Sequence, residues 1–183
     1  MRIKTLTGLR SAAIATGILT SFLLAPAAAQ GDLTVINNPA EPQVNGTKAK
    51  LRDDPAVQGG KALRVDVRRK GANPWDIAVE STIEQPVKAG DSLVFAFWAR
   101  LEKGEDGAAT GTLPYTAVQV SAAPYTTLFS APADIGPEWK LHEVRGVADT
   151  DHAAGTLKAT IHLASSAQTV DLGPLIVVNL GQE

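Results

Sequence analysis

The chain has 183 residues and not one cysteine. That excludes disulfides, thiolate zinc sites and a lipid-modified cysteine, so stability has to come from packing. Histidine is almost as scarce: His142, His152 and His162 are the only three. No two of them have helical or zinc-finger ligand spacing, so spacing supports no metal centre. Beyond the N-terminal stretch no segment carries a 3.6-residue apolar period, which argues against helices. No apolar run there is long enough to cross a membrane as a helix. Internal repeats and linker-like stretches are also missing, and the length fits one domain.

What is present begins with an address. Arg2, Lys4 and Arg10 precede an apolar stretch from Ala12 to Leu24, and Ala27-Ala28-Ala29 offers an A-x-A cleavage site. This is the pattern of a secretory signal peptide over 1–29, leaving one domain over 30–183. The expected location is secreted or periplasmic. Removing 1–29, which holds three basic side chains and no acidic one, leaves 14 basic against 19 acidic, a net of −5. That balance disfavours nucleic acid or an anionic membrane as partner.

The rest alternates with a period of two. Leu63, Val65 and Val67 take one face of a strand over 62–69. Trp75, Ile77 and Val79 do so over 75–83, and Leu93, Phe95 and Phe97 over 92–100. Further strands are expected at 33–36, 48–52, 113–121, 139–147, 156–164 and 169–180, the last interrupted at Gly173-Pro174. The proline-rich stretch 122–137 reads mostly as loop, with a short strand at 126–130. Asn45-Gly46-Thr47 reads as a tight turn. Many short strands divided by Gly and Pro turns indicate an all-β sandwich or barrel.

Four segments in order, Gly59-Gly60-Lys61-Ala62-Leu63-Arg64-Val65, Asn73-Pro74-Trp75-Asp76, Gly90-Asp91 and Phe97-Trp98-Ala99-Arg100, resemble the carbohydrate-binding modules of the family 4/9 type. These are jelly rolls within the galactose-binding-like β-sandwiches. Trp139 opening a late strand and Thr169-Val170-Asp171-Leu172 near the end continue the likeness. The resemblance implies a two-sheet antiparallel jelly-roll β-sandwich that binds polysaccharide or oligosaccharide without catalysis. In relatives an acidic residue at the position of Asp171 lies near a structural calcium, but Leu172 and Asn37-Asn38 stand here where relatives carry acidic residues, so no cofactor is expected.

Alternation nominates the binding face. Phe95 and Phe97 claim the core, so Trp98 and Arg100 point outward. Trp75 shares the parity of Ile77 and Val79 and reads as core. Sugar rings stack on aromatic planes, and their hydroxyls need planar donors and acceptors. The candidate carbohydrate-binding residues are therefore Asp76, Glu80, Trp98, Arg100, Gln119 and His162. Asp76 and Glu80 lie on one strand face about 13 Å apart, too far for the carboxylate pair of glycoside hydrolysis.

A competing motif is Gly90-Asp91-Ser92-Leu93, the signature of the GDSL hydrolases, with Asp149-Thr150-Asp151-His152 supplying a D-x-x-H. It points to a small secreted hydrolase with Ser92 as nucleophile and His152 as base. No helix follows the motif, however, and Gly-Asp before a strand is ordinary turn chemistry. A third reading is a structural sandwich whose outer face binds protein.

Overall fold

The computed structural model describes residues 34–182. Contacts divide the chain into 1–30 and 31–183, and all the described residues belong to the second unit. The expected signal peptide lies outside the described residues. Among those described, no helix is long and apolar enough to cross a membrane.

Eleven strands succeed one another among the described residues: β1 (Thr34–Val35), β2 (Gln43–Asn45), β3 (Ala49–Asp53), β4 (Lys61–Val67), β5 (Ala78–Ile83), β6 (Asp91–Lys103), β7 (Gly111–Val120), β8 (Thr127–Ile135), β9 (Lys140–Val147), β10 (Leu157–His162) and β11 (Gln168–Gln182). They form two antiparallel sheets of a jelly-roll sandwich. The first runs β3-β4-β11-β6-β9, with β1 also on β11, and the second runs β2-β5-β10-β7-β8. Period-two segments fold this way because each strand buries one face between the sheets. Phe95 and Phe97 are fully buried from the first sheet, and Val118, Ile161 and Leu113 from the second. Trp98 and Arg100 face away from that core, as the alternation requires.

The strand pattern departs from the sequence reading at three points outside the site. Gln43–Asn45, where the sequence marks no strand, is one, pairing Gln43 with Glu80 and Asn45 with Ala78. The stretch read as loop holds the nine-residue β8, which runs through Pro132. Proline is tolerated there because β8 is an edge strand and a register shift falls beside it. Finally, β11 is continuous across Gly173-Pro174 by a shift between Leu172 and Leu175. Glycine is required at 173, since a Cβ there would lie 2.6 Å from Val57 Cγ2 and 2.9 Å from Trp98 Cβ.

A buried histidine on β9 is one source of pH-dependent stability. His142 faces inward from β9, its ring stacked on Phe97 with centroids 5.3 Å apart. Its Nε2 is buried without a hydrogen-bond partner. Burial, and then the charge of Lys140, push its pKa down against the weaker opposing pull of Asp134. A histidine neutral in the fold but protonated when unfolded makes the unfolded state bind more protons. Stability is then complete above about pH 6.5 and declines as pH falls through the depressed folded value. We expect a lower urea midpoint at pH 5 than at pH 7, with a smaller drop in His142→Gln. Equal midpoints for the native chain at both pH values would refute this role.

Candidate functional site

The outer face of the second sheet carries a cleft of about 940 Å³. Its floor is set by strand register. Tyr115, His162 and Ala78 are cross-strand partners in one row, continued by Asn45. In the next row Glu80 lies opposite Thr160, and Thr160 opposite Ala117; in the third, Lys158 lies opposite Gln119. Ala78 and Ala117 have almost no side chain, so the floor sinks between larger neighbours.

The first row is aromatic. The His162 ring stacks on Tyr115 with centroids 4.5 Å apart, and Trp75 meets it edge-on at 6.2 Å. Burial lowers the His162 pKa; Glu80 opposes that and Lys158 adds to it. Burial therefore favours the neutral ring. The polar part of the floor is ordered by its own bonds. Glu80 accepts from Lys158 Nζ at 2.7 Å and from Asn45 Nδ2 at 3.0 Å. Tyr115 donates to Gln119 Oε1 at 3.0 Å, leaving the amide nitrogen of Gln119 as the group for a ligand. Lys158 also lies under the ring of Tyr125, 5.1 Å from its centroid. Tyr125 is half exposed on the loop between β7 and β8, with a backbone φ of 58°.

Glu80, Gln119 and His162 are thus brought together as candidates. Asp76 lies just beyond the cleft, where it caps the 3₁₀ turn Pro74–Asp76. Trp98 and Arg100 are not part of this face; they stand on β6 in the other sheet. Trp98 Nε1 donates to Gln58 at 3.2 Å. Arg100 does not meet Glu80; its guanidinium pairs with Asp171 at 2.9 Å and lies 5.1 Å from the Trp139 ring centroid. Alternation assigns a side chain to inside or outside but not to one sheet or the other.

Trp75, Tyr115, Tyr125, Lys158 and Asn45 complete the cleft and were not candidates from sequence. Trp75 is 60% exposed rather than core. The strand starts only at Ala78, because Asn73, Pro74 and Asp76 build a capped helical turn with a reciprocal capping box. That signature was legible in the sequence. So was the shared parity of Tyr115 with Gln119 and of Lys158 with His162. Nothing in the sequence marked Tyr125.

Asp171 does not fit a cation. It is fully buried on the outer side of the first sheet, between its register partners Arg64 and Arg100. Its oxygens accept from Arg64 Nε at 2.7 Å, Arg100 Nε at 3.0 Å and Arg52 Nη1 at 3.0 Å. Burial raises its pKa, but the bonds and charges of Arg64 and Arg100 prevail and hold it below the usual carboxylate range. Guanidinium groups occupy the place beside this carboxylate that a calcium ion would need. Among the described residues no cluster of three His, Asp or Glu is arranged to hold a metal.

The serine motif is a turn. Gly90 has φ of 88°, and Asp91 accepts from Lys88 N at 2.9 Å and from Asn179 at 2.7 Å. Ser92 is buried in β6 opposite Val147. His152 pairs by backbone with Val87, its ring beside Thr150 at 3.3 Å. The neighbouring Asp151 is held by Lys88 and Ala89.

The fold is similar to that of solved carbohydrate-binding modules. A CBM4 structure superposes with a TM-score of 0.57 at 14% identity, over 77% of this chain and 96% of the other. The CBM22-1 xylan-binding domain from Paenibacillus barcinonensis gives 0.55 at 14%, over 86% and 100%. The second N-terminal cellulose-binding domain of Cellulomonas fimi β-1,4-glucanase C gives 0.55 at 19%, over 85% and 98%. An arabinose-bound α-L-arabinofuranosidase is also similar, at 0.51 and 16%, but over only 25% of its own length. No protein-family model matches the sequence, and no curated protein matches it. At these identities the likeness is one of fold.

Proposed function

We propose that the chain is an exported, non-catalytic carbohydrate-binding protein that holds a polysaccharide in the cleft over β5, β10 and β7. One observation carries this reading: an open groove in which aromatic rings, Trp75, Tyr115 and Tyr125, flank a floor of ordered polar groups. Rings supply planes for the C–H faces of sugars; Glu80, Lys158 and the Gln119 amide supply acceptor and donors for hydroxyls. The neighbours described as xylan- and cellulose-binding domains share the fold that presents this face. Polysaccharide is the partner, with no nucleic acid and no membrane after the signal is removed.

Affinity electrophoresis through gels containing xylan or soluble cellulose derivatives tests the reading. The mature chain should be retarded by at least one polymer and should release no reducing sugar from it. Migration unaffected by every polymer would refute it.

The Ser92 hydrolase is disfavoured by its own geometry, a buried strand residue behind a turn. Ser92→Ala is expected to leave binding unchanged, and an ester-hydrolysis assay on the unaltered chain should read background. Robust turnover abolished by this substitution would establish the hydrolase instead.

A further inference from the structure

We infer that the cleft continues, past the Pro74–Asp76 turn, into a subsite for an anionic substituent on the bound polysaccharide, the carboxylate of a uronic acid. This rests on the carbohydrate reading of the cleft. A second hollow of about 340 Å³ lies behind that turn, with Arg68, Arg69 and Lys70 on its rim. Three successive cations stand out in a chain whose expected mature charge is negative. The hollow's two acids are already engaged. Asp66 accepts from Thr169 at 3.2 Å and stands 3.6 Å from Arg68. Asp76 accepts from Asn73 N at 2.9 Å and closes the capping box; that backbone bond heads the causes holding its pKa low. Among the described residues, Arg69 and Lys70 have no ion-pair partner. They are left to meet a ligand anion, Arg69 with a planar fork that matches a carboxylate.

The walls are fixed. Gly71 N donates to Ala164 O at 2.9 Å and Ala164 N to Pro74 O at 3.0 Å, tying the basic loop to the end of β10. On the other side Gly46, with φ of 80°, sits so close to the Asp76 carbonyl that a Cβ would lie 1.8 Å from its oxygen. The two hollows share one partition. Asn45 and Trp75 line the cleft, whereas their neighbours Gly46 and Asp76 line the hollow. A sugar chain leaving the cleft past Trp75 crosses this partition toward the basic rim.

The test uses the mature chain with glucuronoxylan and polygalacturonate, each against its carboxyl-reduced form. At low salt an acidic polymer should bind about three- to tenfold more tightly than its reduced form, as expected for one or two exposed ion pairs. The preference should vanish near 1 M salt, where screening acts over about 3 Å. It should also vanish in Arg69→Gln/Lys70→Gln, with affinity for the reduced polymer unchanged. Equal affinities for the two forms, or a preference that survives the double substitution, overturn the subsite and leave the cleft reading standing. If none of these polymers, nor neutral xylan or cellulose, binds the unaltered chain, the cleft reading fails and the subsite with it.

Discussion

Asp171→Asn is expected to destabilise the fold by about 3 kcal/mol at pH 7, the low end for removing one partner of a buried ionic network. Asp171 is 0% exposed and receives hydrogen bonds from Arg52, Arg64 and Arg100. These arginines come from β3, β4 and β6, so one carboxylate on β11 ties four strands of the first sheet together. An amide keeps the shape but loses the charge, leaving three guanidinium groups with only Asp54 and Glu102 as anions. Urea unfolding with and without the substitution measures the loss. A change below about 0.5 kcal/mol, the scale of neutral surface substitutions, would show that the network contributes little. Because the native-state pKa of Asp171 is depressed, its contribution is complete above about pH 4 and fades as pH falls through the lower folded value. That window is separate from the one near pH 6.5 assigned to His142. Since arginines take the place of a cation, calcium or a chelator should leave the unfolding midpoint unmoved.

Trp75→Ala is expected to weaken binding of a recognised polysaccharide roughly ten- to a hundredfold, the scale of losing one aromatic anchor. Trp75 is exposed on a capped turn, so the substitution should leave the unfolding midpoint close to that of the unaltered chain. Trp98→Ala should do the reverse. Trp98 packs beside Gly173 in the first sheet, so its removal costs stability and leaves affinity intact. Isothermal titration of both variants separates the two faces. Affinity lost in Trp98→Ala and kept in Trp75→Ala would move the site to the other sheet.

Much of the fold was legible because burial imposes a period of two on each strand. Phe95 and Phe97 inside with Trp98 and Arg100 outside followed from that alone. What alternation leaves open is which sheet a strand joins. Glu80 on β5 and Arg100 on β6 are near in sequence and both face outward, yet they lie on opposite surfaces of the sandwich. Long-range pairings such as Arg100 with Asp171 and Glu80 with Lys158 decide this, and they depend on contacts distant in sequence. Trp75 leaves the core for a local reason: the Asn-Pro-Trp-Asp capping signature outweighs its parity with Ile77. Tyr125 was invisible because a loop has no period.

The most direct test of the central claim is to map backbone amide chemical shifts of the ¹⁵N-labelled chain over 30–183 during titration with xylan and cellulose oligosaccharides. The account predicts shifts concentrated at Asn45, Trp75, Glu80, Tyr115, Gln119, Lys158 and His162, with the Asp171 network silent. Shifts centred on Arg64, Trp98, Arg100 and Asp171, with the cleft residues unmoved, would contradict it.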